Sequence, residues 1–424
     1  MEKLKGRVWA SLILVGLVGQ FAWTIENMYF NVFLYNTISA DTGAIAAMVA
    51  ASAVTATVAT LLMGALSDRM GKRKPLIVGG YILWGLSTLA FGFISVENAA
   101  RWFPAANAVQ AAAMMVVVMD CLMTFFGSTA NDAAFNAYIT DVTSEHNRGR
   151  VESVLAVLPL LSMLIIFGAF DGMTQKGQWR EFYLIFGGLV TLTGIVSAFL
   201  LKDGAIEKKK DGGLMSIVYG FRPSVVKENG MLYLALSAML VFSIAVQVFF
   251  PYLIIYLQNY LAIDAYAIVL GIVLIVASVV SVLCGGLIDK FGKLRFVLPA
   301  GIVMLFGLVL MYFARDFVFV IIAGSIMMSG YMLVTAALSG TVRDYTPADK
   351  VGHFQGIRMI FAVMLPMIIG PFIGSAVIKG SGQTYVDLGT VKDVPTPGIF
   401  LAAALVLLLV IIPVLAMRRK EKAC

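Results

Sequence analysis

Apolar runs of about twenty residues recur along almost the whole chain, from residue 8 to residue 417. Each run is long enough to cross the hydrocarbon core of a bilayer as a helix. Charged residues make up only 13% of the 424 positions, about half of what a soluble globular chain carries. The sequence therefore predicts a polytopic membrane protein, and it leaves no room for a sizeable soluble domain.

Clusters of charged, Gly and Pro residues divide the chain into twelve predicted helices. They cover residues 8–36, 43–66, 75–95, 105–140, 150–170 and 179–201 in the first half, and 229–259, 265–288, 295–313, 317–342, 353–378 and 398–417 in the second. We thus expect an all-α fold with a bundle at 1–201, a cytoplasmic linker at 202–228 that includes a short surface helix, and a bundle at 229–424.

Basic residues are distributed unevenly between the loops. With residue 1 inside, 25 of the 31 Lys and Arg residues fall in cytoplasmic segments and six in outer loops. This asymmetry predicts that both termini are cytoplasmic in a plasma-membrane protein. The net charge of +7 then reflects topology, so the bilayer is the expected partner and nucleic acid is not.

A sequence repeat links the two halves. The segment GALSDRMGKRK at 64–74 recurs as GGLIDKFGKLR at 285–295, in each case after the second helix of its half. A weaker repeat pairs Asp141 and Thr143 with Asp344 and Thr346 in the loops after helices 4 and 10. Two homologous six-helix halves are the simplest source of this pattern.

The 64–74 segment resembles the signature of the major facilitator superfamily, a class of secondary transporters with twelve helices in two pseudo-symmetric bundles. The resemblance implies that Asp68 is a conformational latch whose contacts form in one access state and break in the other. An alternative is that the basic residues 72–74 serve only to orient the helices. The latch residues predicted with Asp68 are Gly64, Arg69, Gly71, Arg73, Asp289, Gly292, Glu145 and Arg148.

Residues 131–150 resemble a narrower group, the glycoside-pentoside-hexuronide symporters of the melibiose permease type. The resemblance rests on Asp132 followed by Glu145 and then by basic residues. Members of this group import sugars with sodium or protons. Where their sodium site has two aspartates on helix 2, this chain has Ala56 and Thr60, so the resemblance favours the proton over sodium as coupling ion. No other cofactor or metal is expected.

Three acidic residues are predicted to lie well inside helices: Glu26 in helix 1, and Asp120 and Asp132 in helix 4. An ionised side chain at the bilayer centre costs at least ~2.5–3.5 kcal/mol, so such residues are functional candidates. Removal from water favours the neutral carboxylic acid. We therefore predict that these residues carry a coupling proton; a structural, hydrogen-bonded role is the alternative.

Polar and aromatic side chains follow the same helices at helical spacing. Amides and hydroxyls can bind sugar hydroxyls, and an aromatic ring can stack on the apolar face of a pyranose; packing against lipid or another helix is the alternative for the rings. The predicted substrate-binding residues are Trp23, Asn27, Phe30, Asn31, Thr124, Ser128, Asn131 and Asn136 in the first half, and Gln247, Gln258, Asn259 and Tyr331 in the second.

These features predict a monomeric secondary transporter that works by alternating access, not an enzyme. No GxxxxGK[ST] phosphate-binding loop occurs, so ATP is not the expected energy source. No Lys or Arg lies at mid-membrane, which favours a neutral solute, and the leading prediction is proton-coupled import of a sugar or glycoside. Two alternatives remain: an amphipathic substrate such as a lipid-linked sugar, lipid or drug, and a non-transporting sensor of transporter descent.

Overall fold

The computed structural model describes residues 5–143, 151, 154–202, 221–347, 351–387 and 390–423. Within these ranges, twelve helices are long and apolar enough to cross a membrane, as the sequence predicts. They are α1 (Gly6–Ile38), α2 (Thr42–Met70), α3 (Lys74–Phe91), α4 (Ala108–Val142), α5 (Leu158–Gln175), α6 (Trp179–Leu200), α7 (Gly230–Tyr260), α8 (Tyr266–Phe291), α9 (Lys293–Phe313), α10 (Phe317–Tyr345), α11 (Gly356–Gly380) and α12 (Gly398–Glu421).

Short elements connect some of these helices. A helix at Val96–Trp102 precedes α4, and a helix at Pro223–Glu228 precedes α7. The latter falls in the predicted linker, whose residues 203–220 lie outside the described ranges. Strands β1 (Thr384–Asp387) and β2 (Thr390–Asp393) pair antiparallel, with Thr384 opposite Asp393.

Contacts divide the chain into two compact units. One contains residues 1–39 and 51–216, and the other contains residues 40–50 and 217–424. The division therefore lies near the predicted linker, with one difference: the first turns of α2 belong with the second half of the chain.

Polar contacts attach these first turns of α2 to α7 and α11. The hydroxyls of Thr42 and Ser375 are 3.0 Å apart, and Tyr252 donates to the carbonyls of Thr42 and Pro371 at 3.2 and 2.8 Å. Asp41 pairs with Lys379 at 2.7 Å. Partial burial alone would raise the pKa of Asp41, but hydrogen bonds from Lys379 and the following backbone, together with the Lys379 charge, hold the pKa of its carboxyl below the ordinary value.

Several of the helices contain wider π-helical turns. These turns lie at Ile25–Tyr29 and Leu34–Ile38 in α1, Ser128–Phe135 in α4, Ile166–Phe170 in α5, Tyr256–Tyr260 in α7 and Ile360–Met364 in α11. Such turns insert an extra residue into the helix and are frequent at functional sites. They also rotate the residues that follow, so spacing counted at 3.6 residues per turn does not hold across them.

Glycines allow α3 and α6 to approach closely in the first unit. A Cβ on Gly187 would lie 2.6 Å from the backbone nitrogen of Leu89 and 2.9 Å from the carbonyl oxygen of Gly85. The next residue, Gly188, has open space at the same position. Lipid tails are as apolar as the helix surfaces, so helices in a membrane associate through close van der Waals packing, which small residues at the crossing permit.

The two adjacent glycines provide a matched test of this packing. Gly187→Ala should destabilise the protein by about 1–3 kcal/mol, because backbone atoms of α3 must move to admit the methyl group. Gly188→Ala should be neutral or stabilising by up to about 1 kcal/mol, because alanine favours the helix. Thermal unfolding in detergent measures both changes, and equal midpoints for the two variants would contradict the assigned helix contact.

Candidate functional site

Three helices of the first unit meet at the Glu26 carboxyl. Glu26 lies in the first π-turn of α1 and is 7% exposed. Its Oε1 accepts hydrogen bonds from Ser52 of α2 and Thr124 of α4, both at 2.8 Å. The two hydroxyl oxygens are also 2.8 Å from each other. Three oxygens therefore form a triangle with hydrogen-bond distances on every side.

The number of protons in this triangle constrains its chemistry. Each hydroxyl carries one hydrogen, and an ionised carboxylate carries none. Three simultaneous hydrogen bonds need three hydrogens, whereas Ser52 and Thr124 supply two. A proton on Glu26 would supply the third and close the ring. The other oxygen, Glu26 Oε2, is buried with no hydrogen-bond partner among the described residues.

Asp120 and Asp132 lie near this cluster. Asp120 is 1% exposed, one helical turn before Thr124, and its Oδ1 is buried without a partner in the described structure. Asp132 is half-buried in the π-turn of α4. Glu26 is close enough to each aspartate for their charges to interact. All three acids thus lie in the first unit, with Glu26 within charge-interaction range of each aspartate and the two aspartates about three turns apart on α4.

A fourth buried carboxylate, Asp171, was missed by the sequence analysis. Asp171 is 1% exposed near the end of α5, which continues past the predicted end at residue 170. Unlike in Glu26, both carboxylate oxygens of Asp171 accept hydrogen bonds: Tyr29 donates to Oδ1 at 2.9 Å and Gln175 donates to Oδ2 at 2.7 Å. This carboxylate ties α1 to α5.

The two aromatic candidates of α1 differ in their surroundings. Phe30 is completely buried, stacked on Phe91 at 4.0 Å and in edge contact with Tyr183. Its ring is therefore occupied by packing inside the unit, in disagreement with the predicted substrate contact. Trp23 is half-buried with its ring centroid 5.0 Å from that of Trp84, whose buried Nε1 lacks a described acceptor.

Most polar candidates of the first unit bond to nearby protein groups. Asn27 and Asn31 donate to carbonyls one turn earlier in α1, at 2.8 and 2.9 Å. Asn131 donates to the Tyr81 hydroxyl at 2.8 Å, which is a link between α4 and α3. Asn136 is exposed and donates to its own helix. Among these candidates, the Asn31 Oδ1 is buried with no partner in the described part of the chain, and the Ser128 hydroxyl is within hydrogen-bonding reach of the Asp132 carboxyl.

Polar candidates of the second unit lie mainly on α7. Gln247 is half-buried, and Gly370 of α11 lies against its Cβ. Gln258 and Asn259 share the π-turn of α7, where Gln258 Oε1 and Asn259 Nδ2 are buried and lack partners among the residues described. Tyr331 of α10 stacks on Phe242 at 5.8 Å.

Arg73, between α2 and α3, organises the predicted latch. Its guanidinium contacts Asp68 at 2.7 Å, Asp141 at 2.9 Å and the Ser67 hydroxyl at 2.7 Å, and the residue is 5% exposed. Partial burial by itself lowers the pKa of Arg73, but the hydrogen bonds to Asp141 and Asp68 and their charges outweigh it, so the pKa is raised above its ordinary value. Arg73 is therefore the bridge between α2 and α4.

The other latch candidates are placed less centrally. Arg69 is exposed and makes no ion pair with any described residue. A Cβ on Gly64 would lie 3.9 Å from Ala133, an ordinary contact, so this glycine does not enforce close approach. Gly71 and Gly292 have φ of 61° and 86°, and they end their helices in the left-handed region. Glu145, Arg148 and the Asp289 side chain lie outside what the structure describes.

The second repeat carries a simpler version of the same bridge. Lys293 at the start of α9 binds both carboxylate oxygens of Asp344 at the end of α10, at 2.7 and 2.8 Å. Asp344 is the repeat equivalent of Asp141. A Cβ on Gly340 would meet the Lys293 side chain at 2.8 Å, so the glycine leaves space for it.

Comparison with known proteins identifies the family. The model of the Major Facilitator Superfamily matches residues 12–371 and 264–423. No curated protein matches the sequence.

Solved structures share the fold at low sequence identity. A single-residue mutant of the nucleoside transporter NupG superposes with a TM-score of 0.73 and 11% identity, covering 96% of this chain and 99% of that one. A partially occluded inward-open structure of the xylose transporter XylE from E. coli gives 0.68 and 13%, covering 95% and 97%. Another NupG structure gives 0.68 and 10%, covering 97% and 98%. The chain therefore belongs to the Major Facilitator Superfamily and is a membrane transporter, not an enzyme.

Proposed function

We propose that this transporter couples the import of a neutral sugar or glycoside to a proton, with Glu26 as the principal proton carrier. The observation that carries the proposal is the oxygen triangle of Glu26, Ser52 and Thr124, whose three short contacts need one more hydrogen than the two hydroxyls provide. Asp120 and Asp132 extend the site to three acids. A proton could move among them as the transporter changes state.

Charge balance supports a proton in this site. The ion pairs between described residues include none of the three acids. Burying an ionised carboxylate without a counter-charge raises the free energy of the folded protein, and protonation removes this penalty because it neutralises the group. Sodium would also find oxygen ligands here, so the experiments below separate the two ions.

The proposed substrate class follows from the side chains available. Lys and Arg residues of the described spans lie only near helix ends, which disfavours anionic solutes. Single amide atoms lack a described partner in each unit, Asn31 Oδ1 in the first and Gln258 Oε1 and Asn259 Nδ2 in the second. Such uncharged donors and acceptors are suited to hydroxyl-rich neutral molecules. The fold neighbours include a xylose transporter and a nucleoside transporter, so nucleosides belong in the ligand panel.

We further propose an orientation of the protein in the membrane and a role for the latch in the change of access state. The asymmetry of basic residues supports cytoplasmic termini, a plasma-membrane location and a cytoplasmic position for the latch. In this setting, the contacts of Arg73 with Asp68 and Asp141 stabilise one access state, and their loss accompanies the change to the other. We propose a monomer as the transporting unit.

A ligand panel tests the substrate class. Monosaccharides, disaccharides, glycosides, nucleosides, lipid-linked sugars and hydrophobic cations are each added to purified protein, at two pH values, with and without sodium. A soluble sugar should raise the midpoint of unfolding, since binding at ~100 times Kd contributes ~2.7 kcal/mol. Its effect should vary with pH and ignore sodium. A response to lipids or cations alone would contradict the sugar assignment.

Glu26→Gln tests proton coupling with the solute that the panel identifies. In proteoliposomes, this variant and Asp132→Asn should still exchange bound solute across the membrane but lose accumulation driven by a pH gradient by at least tenfold. Gln keeps the size of the side chain and an oxygen that accepts from Ser52 or Thr124, but this amide oxygen carries no hydrogen and so cannot hold the proton.

Asp171→Asn is the matched control, because it changes another buried carboxylate of the same unit that is fully hydrogen-bonded. It should lower thermal stability while the ratio of accumulation to exchange remains that of the unchanged protein. Equal loss of exchange and accumulation in Glu26→Gln, or full retention of accumulation, would contradict the carrier role.

Arg73→Lys tests the latch. Lysine keeps the charge but cannot span two carboxylates with a planar fork. We expect a several-fold slower transport rate with little change in solute affinity, whereas Arg69→Lys should behave as the unchanged protein. Initial rates and binding measured on the same preparations separate the two effects; an Arg69 variant as slow as the Arg73 variant would count against the assigned bridge.

A further inference from the structure

A cavity at the ends of α7, α10 and α11 lies within the second unit, apart from the carboxyl cluster. Its volume is about 120 Å³, several times what a single water molecule needs. The apolar part of its wall consists of Leu232 and Leu236 of α7, Val342 of α10 and Phe354. These four side chains are almost fully buried.

Thr346 and two arginines complete the wall of this cavity. Arg343 near the end of α10 and Arg358 near the start of α11 both line it, and their positive charges are close enough to interact. The nearest acidic neighbour in sequence, Asp344, is already bound through both oxygens by Lys293. Within the ranges that the structure describes, neither arginine makes an ion pair or a side-chain hydrogen bond.

Two positive charges in one cavity repel each other, and an anion bound between them would be attracted to both and would offset the repulsion. Guanidinium groups present parallel N–H donors that match the oxygens of a phosphate. The adjacent leucine and phenylalanine side chains suit an apolar chain attached to that phosphate. Both arginines also lie at helix ends, where lipid headgroups are found.

We propose that Arg343 and Arg358 form a binding site for the phosphate group of an anionic amphiphile, with phosphatidylglycerol as the probe of this chemistry. The site lies on the predicted cytoplasmic side, outside the proposed proton and sugar path. It does not depend on the proposed function, because it involves none of the same residues.

The test uses the purified full-length protein in a neutral detergent. Dioctanoyl phosphatidylglycerol, dioctanoyl phosphatidylcholine and glycerol 3-phosphate are titrated separately while thermal unfolding is recorded. The variants are Arg343→Gln and Arg358→Gln. Arg419→Gln is the control, because it removes an exposed positive charge from α12 that does not line the cavity.

We expect phosphatidylglycerol to raise the unfolding midpoint of the unchanged protein and of the Arg419 variant equally. Its apparent affinity should fall at least tenfold in either cavity variant. Without lipid, the cavity variants should be as stable as the unchanged protein or more so, because repulsion is relieved. Should a Gln variant fail to fold, the corresponding Lys variant should keep the charge and still bind several-fold more weakly.

The soluble phosphate identifies the source of the ligand. Arginine-dependent stabilisation by glycerol 3-phosphate as strong as that by phosphatidylglycerol would support the phosphate site and assign it to soluble phosphate esters. Stabilisation by phosphatidylglycerol alone would support a lipid site. The proposal is overturned if no phosphate compound stabilises the protein, or if the cavity variants respond as the Arg419 variant does.

Discussion

Burial of carboxyl groups without a basic partner is the main physical constraint on the first unit of this transporter. A chain that places acids in a membrane-spanning bundle must pair them, hydrogen-bond them or protonate them. Asp171 follows the second solution, with donors on both oxygens. Glu26 is different, since its two hydroxyl partners also contact each other and its second oxygen has no described partner. This difference in hydrogen bonding is the basis for proposing a structural role for Asp171 and a proton-carrier role for Glu26.

The sequence was sufficient to predict the fold because its signals are long or repeated. Twelve apolar runs predicted the twelve helices of the described residues that are long and apolar enough to cross a membrane, and the two copies of the 64–74 motif indicated two related halves. The motif also indicated Asp68 as a latch residue, and Asp68 pairs with Arg73. From the sequence alone, the positive charge of Arg73 could equally be explained by its effect on the orientation of the membrane helices. Here the missing information was the position of Asp141, which lies 68 residues further along the chain.

The composition of the site was predicted better than its detailed contacts. The three mid-helix acids all lie in the first unit, where Glu26 is close enough to each aspartate for their charges to interact. Ser52 was missed, since a serine in an apolar helix gives no comparable signal. Phe30 was assigned to substrate because helical spacing put it near Asn27, but π-turns change the facing of residues in α1, and the ring packs in an aromatic cluster. Periodicity alone cannot detect such turns.

The most direct test of the central claim needs no substrate. Infrared difference spectra of the purified protein between acidic and alkaline pH report the C=O stretch of protonated carboxylic acids. We predict a buried-acid band that disappears as the pH is raised, is lost or much reduced in Glu26→Gln and persists in Asp171→Asn. A band of unchanged intensity in the Glu26 variant, or no such band in the unchanged protein, would contradict a proton held by Glu26.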